Sequence, residues 1–287
     1  MAVFITYTPE GIQKTTYYPS KIPPLEITIS NVGISSLDFE HLGTLRRAIT
    51  ELQVALQVLE LSEKKIDVLL LDGSPVINKP LTSNQKIMNY YKTYLSILQE
   101  LIFKARNKNI KLAWIVKDSK MRLMTKFLGR ILPFIVDSIP ELLEFDYRSI
   151  INNSHDMDLF YYLLDFQQRS MVFKLDFKIS QEFIKKFDLY SFHLKTARFD
   201  IPLRVEIFQP IQEKNREMVK ETNILAETIL PLSQYYKNYG IPAPIVEADA
   251  RAKIKETEVD TFFQLMRKRF PVPDLWLRRR ERSPWKF

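Results

Sequence analysis

The sequence predicts a mixed α/β fold, and the main evidence is a pair of apolar strands separated by a long helical segment. Residues 66–71 form a continuous apolar run that stops at Asp72, and residues 110–116 repeat the pattern shortly before Asp118. Such runs are typical of strands that are covered on both faces in the centre of a sheet. The apolar spacing over residues 83–107 predicts a crossover helix, so the three segments together predict a parallel βαβ unit.

The remaining elements follow from periodicity and from turn residues. Before the βαβ unit, we expect a strand over residues 3–7, a strand over 25–29 and an amphipathic helix over 38–61. After the βαβ unit, the patterns predict helices over 121–136, 158–165, 210–239 (interrupted near Pro231) and 245–269, and strands over 170–179, 190–196 and 203–208.

Composition supports a folded domain and excludes several kinds of site. Hydrophobic residues make up 46% of the 287 positions, which is enough for a sizeable core. The chain has 6 glycines and neither a GxGxxG nor a P-loop pattern, so a Gly-rich phosphate loop is not expected. Cysteine is absent, which excludes disulfides, zinc–thiolate sites and cysteine nucleophiles. We expect one domain over residues 1–287, with an alternative boundary near residues 145–155.

The N-terminus and the short apolar runs indicate where the protein works. The first residues contain no basic segment followed by an apolar stretch, so no signal peptide is expected. The apolar runs are far shorter than the ~20 residues that span a bilayer. We therefore expect a soluble, cytoplasmic protein with no membrane partner.

The charge balance favours a polyanionic partner. There are 42 Lys and Arg residues against 34 Asp and Glu residues, a formal net charge of +8, and basic proteins gain affinity for nucleic acids through counterion release. Basic residues next to aromatic ones at the C-terminus suit phosphate contacts and base stacking, although such a tail would equally pack on the body or on a second subunit. Lys117 suits a bound phosphate or is a solvated lysine. The candidate DNA-binding residues are Lys117, Arg278, Arg279, Arg280 and Arg282.

Three carboxylates stand at positions that suit a divalent ion. Glu51 lies on the first long helix, and Asp72 and Asp118 follow the two apolar strands. A two-metal nuclease needs carboxylates that converge on Mg²⁺ or Mn²⁺, because these ions prefer oxygen ligands. Asp72 also fits a simple turn role, since Asp-Gly-Ser is common turn chemistry. Glu51 equally fits a boundary residue paired with Arg46 or Arg47.

Five segments resemble, in the same order, motifs of the archaeal NurA nuclease family. The first is Arg46-Arg47 followed by Glu51, which is similar to a helical Arg-Arg…Glu motif of that family. The other four are residues 67–74 (DVLLLDGS), 114–119 (WIVKDS), 201–207 (IPLRVEI) and 241–254 (IPAPIVEADARAKI). Together the five segments cover nearly the whole chain.

The resemblance implies an RNase H-like mixed sheet flanked by helices, with additional strands and helices in the C-terminal half. It implies Mn²⁺- or Mg²⁺-dependent cleavage of DNA and a dimer, either of identical chains or with a paralogue. It also implies a hexameric HerA-type translocase as the partner in DNA end processing and recombinational repair. On the same basis, Glu51 and Asp72 are the catalytic carboxylates and metal ligands, and Asp118 is a further ligand.

The sequence departs from the family pattern at three positions. The first catalytic aspartate of the family, in an Asp-Gly-Ser before the helical glutamate, has no counterpart here. The closing tyrosine and histidine are Ile241 and Asp249. Asp249 is a candidate replacement ligand or a solvated helix residue near Arg251 and Lys253. We therefore expect a degenerate or weakened nuclease. The alternatives are an active manganese-dependent nuclease and an unrelated α/β enzyme.

Overall fold

The computed structural model describes most of the chain between residues 36 and 253, together with a hairpin before it. The described residues are 2–8, 11–18, 36–61, 65–139, 144–175, 186–211, 215–235, 238–253 and 260–261. The chain divides into two units, Met1–Ala248 and Asp249–Phe287. Among the described residues, no helix is both long and apolar enough to cross a membrane.

A five-stranded mixed sheet lies at the centre of the first unit, which confirms the predicted fold class. Its strands, in spatial order, are β3 (Val68–Asp72), β4 (Lys111–Val116), β7 (Leu203–Pro210), β6 (Phe187–Leu194) and β5 (Phe173–Leu175). β3 and β4 are parallel, and each of the other neighbouring pairs is antiparallel. The predicted βαβ unit is therefore present. The carboxyl ends of β3 and β4 lie side by side at one end of the sheet.

The first apolar run was predicted to form a central strand, but among the described strands it stands last in the order of the sheet. β3 lies at the edge of the sheet, next to β4 alone among the described strands. Its apolar run is explained by cover on both faces. Leu69 and Leu71 pack against the core on one face, and Val68 and Leu70 pack against the core on the other. Burial above and below a strand requires apolar residues at every position, whether or not both edges are paired.

Helices cover both faces of the sheet. The helices are α1 (Ser36–Leu61), α2 (Gln85–Asn107), α3 (Leu123–Ile135), α4 (Tyr147–Asn153), α5 (Asp156–Leu163), α6 (Asn215–Ser233) and α7 (Ala243–Ala252). Residues of α1 and α2 share a core with Trp114, Leu189 and Phe208. Residues of α6 and the start of α7 share the opposite core with Ile115 and Val205.

Local sequence explains where the crossover helix α2 begins and ends. The Asn84 side chain accepts a hydrogen bond from the backbone N–H of Lys86, which satisfies one of the unpaired donors of the first turn. At the other end, Asn109 adopts a φ of 55°, a left-handed conformation that asparagine tolerates better than most residues. The chain can then turn directly into β4.

The N-terminal residues form a two-stranded antiparallel sheet of β1 (Ala2–Thr8) and β2 (Gly11–Tyr18). β1 agrees with the strand predicted over residues 3–7, whereas β2 was not predicted. The strand predicted over residues 25–29 lies outside the described residues.

Two features of the later helices differ from the sequence pattern. The helical segment predicted over residues 210–239 forms over Asn215–Ser233, so the interruption predicted near Pro231 is the end of α6, two residues after the proline. Pro231 stands in the last turn, so the hydrogen bond that it cannot donate is lost close to the natural end of the helix. The short helix α4 was not predicted. It has no buried residue, which explains why it leaves no apolar periodicity in the sequence.

Candidate active site at the ends of β3 and β4

The turns that follow β3 and β4 lie side by side at one end of the sheet. Asp72 is paired in register with Ile115, and the backbone N–H of Gly73 donates to the carbonyl of Ile115 at 2.9 Å. Gly73 has a φ of 82°, which places it in the left-handed region that favours glycine. The Asp-Gly-Ser sequence therefore leaves the strand in a tight turn, with Asp72 as its last strand residue.

The Asp72 carboxylate is paired with a lysine from the neighbouring strand end. Lys117 Nζ lies 3.1 Å from Asp72 Oδ2, and the Asp72 side chain is 43% exposed. Strand alternation places Asp72 on the same face as Leu70 and Ile115, which is the face covered by α6. The pair thus lies at the rim of the sheet, on the side opposite α1 and α2.

A second set of polar side chains links the two turns on the α1–α2 face. The Ser74 hydroxyl donates to Glu206 Oε2 at 2.7 Å, and Arg204 Nη2 lies 3.1 Å from Glu206 Oε1. Arg204 Nη1 in turn donates to the Ser119 hydroxyl at 2.6 Å. We call these four residues the buried clamp, because they run from the turn after β3, through β7, to the turn after β4.

Burial controls the electrostatics of this clamp. Glu206 is fully buried, and burial raises the pKa of its carboxyl above the ordinary value, although the Arg204 charge and the Ser74 hydrogen bond both act to lower it. Burial also lowers the pKa of the Arg204 guanidinium. Since both groups lose hydration, each depends on the other and on the two serine hydroxyls for compensation.

Glu51 belongs to a helix that packs on the same face of the sheet as the buried clamp. It stands on α1 with its side chain 53% exposed, 3.8 Å from Arg47 Nε. The buried Tyr94 hydroxyl, on α2, donates to the carbonyl of Pro75 at 2.6 Å. Burial raises the pKa of Tyr94, and the charges of Tyr91, Glu51 and Glu206 add to this effect. Tyr94 therefore connects α2, which packs against the helix that carries Glu51, to Pro75 directly after the Asp-Gly-Ser turn.

A comparison with protein-family models identifies the family of this chain. The model of the NurA domain matches residues 7–254, which include all of the sheet and both turns. The chain belongs to the NurA family. Its relatives are metal-dependent nucleases that act on DNA in end processing. Searches of curated proteins and of solved structures give no significant match.

The described side chains of this NurA domain do not form a ready-made site for the divalent ion that the family implies. The Lys117 ammonium already lies 3.1 Å from Asp72 Oδ2. The two oxygens of Glu206 lie against the Ser74 hydroxyl and the Arg204 guanidinium. Within the described part of the chain, no three His, Asp or Glu side chains lie close enough together to hold a metal ion. We therefore derive no catalytic step through a metal from these residues.

The other predicted site residues of the NurA domain are placed as follows. Asp118 is exposed, whereas the next residue, Ser119, is buried and joins the clamp. Asp249 is exposed on α7 and belongs to the second unit. The basic cluster Arg278, Arg279, Arg280 and Arg282 lies outside the described residues.

The most deeply buried charged residues of the site, Arg204 and Glu206, were not predicted from sequence. Arg204 and Glu206 lie in a motif that marks the family resemblance, but no role was assigned to them. One signal for them exists in the segment Leu203–Pro210, where charged residues occupy alternate positions of an otherwise apolar strand. Such a pattern, in a strand that is buried along its length, indicates side chains that need polar partners.

Proposed function

We propose that this NurA protein binds DNA and acts in DNA end processing with a weakened capacity for metal-dependent cleavage. The observation that carries the proposal is the contact between Lys117 Nζ and Asp72 Oδ2. A lysine at this position competes with a divalent cation for the carboxylate. The competition weakens metal binding without abolishing it, because an ion pair this exposed is worth only ~0–1 kcal/mol.

The second support is the state of the nearest other carboxylates. Glu206 is fully buried, its Oε2 accepts from Ser74 and its Oε1 lies 3.1 Å from Arg204 Nη2, so an incoming ion would have to displace a cation inside the core. Glu51 is carried by α1, which packs on the face of the sheet opposite to the one that bears the Asp72 side chain. Within the described part of the chain, no third His, Asp or Glu joins a pair of these carboxylates into a group that could hold a metal ion, so an ion bound to two of them would be held weakly.

The partners and cofactors of the proposal come from the family and from charge. The net charge of +8 favours DNA through counterion release. We propose a HerA-type hexameric translocase as the protein partner, and a dimer with an identical chain or with an active paralogue. Mn²⁺ or Mg²⁺ is the cofactor of any residual cleavage, and Asp118 and Asp249 are the further acidic residues proposed as ligands.

A second candidate function is an active manganese-dependent DNA nuclease. It is favoured by the position of Lys117, since an ammonium beside a strand-end carboxylate also suits a scissile phosphate. In this case Lys117 would leave Asp72 when DNA and metal bind together, and its removal would slow cleavage. The two candidates thus predict opposite effects of the same substitution.

The deciding experiment compares the wild type, Lys117→Met and Asp72→Ala in cleavage of linear single- and double-stranded DNA with Mn²⁺ or Mg²⁺. Asp67→Ala is the matched control, because Asp67 also pairs with a lysine, Lys65, at 3.0 Å but at the opposite end of β3. Mn²⁺ affinity is measured by calorimetry on the same samples.

For the weakened nuclease, we expect slow cleavage by the wild type and tighter Mn²⁺ binding by Lys117→Met, with Asp67→Ala unchanged. Rapid wild-type cleavage that is lost in both Asp72→Ala and Lys117→Met would establish the active nuclease instead. A folded wild type that binds neither form of DNA would refute both candidates.

A further inference from the structure

We propose that the same end of the sheet carries a base-stacking surface for single-stranded DNA. The surface, which we call the aromatic strip, consists of Tyr161, Tyr162, Phe166 and Phe199 with the cations Lys195 and Arg198. The inference rests on the DNA binding proposed above, and it names the form of DNA and the residues that hold it.

Strand register places the aromatic strip beside the Asp72 turn. The loop over residues 195–202 joins β6 to β7, and its two ends are held together by the pairing of Leu194 with Leu203. The next residue of β7, Arg204, pairs with Val116 at the end of β4. The loop tip therefore lies at the end of the sheet where β3 and β4 finish. Three strand spacings separate β3 from β6, a distance of ~15 Å.

The other half of the strip reaches this loop through backbone hydrogen bonds. The N–H of Gln167 donates to the carbonyl of Lys195 at 2.9 Å, and the N–H of Lys195 donates to the carbonyl of Gln168 at 2.9 Å. The segment that follows α5 is thus fixed against the β6–β7 loop. Tyr161 and Tyr162, at the end of α5, continue the surface from this segment.

Two of the rings are far more exposed than aromatic side chains in a folded domain usually are. Tyr162 is 85% exposed and Phe199 is 77% exposed. A large ring gains free energy when it leaves water, so a ligand that covers both rings is stabilised by their burial. The planar faces of nucleobases are such a ligand, because every base can stack on an aromatic ring.

A cation lies next to each of two rings of the strip, and one of the two cations is exposed. Lys195 Nζ is 4.1 Å from the centroid of the Tyr161 ring, and this ring meets Tyr162 edge to face at 5.1 Å. The Arg198 guanidinium lies 5.6 Å from the centroid of Phe166. Stacking surfaces for single strands combine rings for the bases with positive charges that track the phosphates. Lys195 is buried and donates a hydrogen bond to the backbone carbonyl of Tyr161, whereas Arg198 is exposed and can meet a phosphate. A purely apolar partner would gain nothing from the Arg198 charge.

The loop that presents Arg198 and Phe199 is held in one conformation. Asp200 accepts hydrogen bonds from the backbone N–H groups of Ile201 at 2.9 Å and Gly240 at 2.7 Å, and the Thr196 hydroxyl donates to the carbonyl of Gly240 at 2.6 Å. A Cβ atom at position 240 would lie 2.5 Å from the Thr196 hydroxyl oxygen, so glycine is required there. A surface that is ordered before binding loses less conformational entropy when the ligand arrives.

These features favour a single strand over duplex DNA. In a duplex the base faces are stacked on each other and are not available to protein rings, whereas an unpaired strand exposes them. A strand separated at a DNA end would cross the aromatic strip and lead its backbone toward Lys117 and Asp72.

The test measures binding of a fluorescein-labelled oligothymidylate of ~16 nucleotides, a length within the range of known stacking sites. The full-length double variant Tyr162→Ala/Phe199→Ala is compared with Phe134→Ala/Phe145→Ala. The control removes two rings of similar exposure, 87% and 62%, that lie outside the strip on and after α3. A labelled duplex of the same length is measured in parallel, and melting temperatures confirm that all variants are folded.

We expect the Tyr162/Phe199 variant to lose single-strand affinity by about 30-fold or more, since each stacked base is worth roughly tenfold or more. The affinity of this variant for the duplex should change by less than about 3-fold, and so should the affinity of the control variant for the single strand. Neither measurement involves a base stacked on the two removed rings of the strip. Arg198→Gln, which keeps all rings, should lower the slope of log affinity against log salt by ~0.7.

Equal single-strand affinities for the wild type and the Tyr162/Phe199 variant would show that the aromatic strip does not bind single-stranded DNA, and would leave the proposed function intact. So would a loss shared equally by the control variant. A wild type that binds no DNA would instead remove the proposed function and this inference together.

Discussion

Two carboxylate–cation pairs lie at the same end of the sheet, and they differ in burial more than in geometry. Asp72–Lys117 and Glu206–Arg204 both have an N···O distance of 3.1 Å. In the first pair the side chains are 43% and 20% exposed, whereas in the second they are 0% and 8% exposed. The same chemical contact therefore lies partly in water in one case and inside the core in the other.

This difference in burial indicates which pair stabilises the fold and which pair can bind a ligand. Water screens the exposed pair, so either partner can be replaced by a metal ion or a phosphate at small cost. The buried pair has lost its hydration and is compensated by the hydroxyls of Ser74 and Ser119. Function is expected at the exposed pair, and the buried pair keeps the two turns in place.

The largest expected effect comes from breaking the buried pair. Arg204→Met leaves the Glu206 carboxylate buried without its counter-ion, which should reduce the free energy of unfolding by ~3–5 kcal/mol in urea denaturation. The control is Arg47→Met, which removes an exposed arginine 3.8 Å from Glu51 and should change stability by less than ~0.5 kcal/mol. Similar losses in both variants would mean that burial does not distinguish the pairs.

A further prediction for the buried side concerns His193, which pairs in register with Arg204 and stacks on Phe160 with a centroid distance of 4.5 Å. Burial lowers the pKa of His193 to about 4, below its ordinary value of 6.5, and Asp156 opposes this shift while Arg204 adds to it. The unfolded chain therefore takes up this proton first as the pH falls. The neutral His193 ring therefore contributes to the free energy of unfolding in full above pH 6.5, and this contribution is lost as the pH falls through 4.

We expect the wild type to lose ~3 kcal/mol more than His193→Leu between pH 7 and pH 4, since each pKa unit is worth ~1.4 kcal/mol. Unfolding free energies at a series of pH values test this. His155→Gln is the control, because His155 is exposed and pairs with Asp158 at 3.3 Å on the surface of α5. Parallel pH profiles for the wild type and His193→Leu would contradict the prediction.

The smallest expected effect on stability is at the exposed pair. Asp72→Asn and Lys117→Met should each change the free energy of unfolding by less than ~1 kcal/mol, and a double-mutant cycle should give a coupling of ~0.2–1 kcal/mol. The cycle is measured by urea denaturation, with and without Mn²⁺. A coupling of several kcal/mol would show that this pair is as structural as Arg204–Glu206 and would remove the basis of the comparison.

Much of the scaffold around both pairs was predictable from local pattern. The apolar runs before Asp72 and Asp118, and the helical spacing between them, predicted the parallel unit that β3, α2 and β4 form. The turn after Asp72 was predicted from its Asp-Gly-Ser sequence, and Gly73 adopts a left-handed conformation there. The order of five motifs predicted the family to which the chain belongs. These features depend on residues that are close in sequence, so their spacing is sufficient evidence.

The partners of each charged residue were decided by the tertiary structure. The sequence alone determined that Asp72 ends a strand, that Glu51 lies on a helix and that the chain is basic. It could not determine that Asp72 meets Lys117, or that Ser74 reaches Glu206 across 132 positions of the chain. Whether a charge is buried depends on contacts between segments that are remote in sequence, and burial sets both the pKa of a group and the cost of losing its partner.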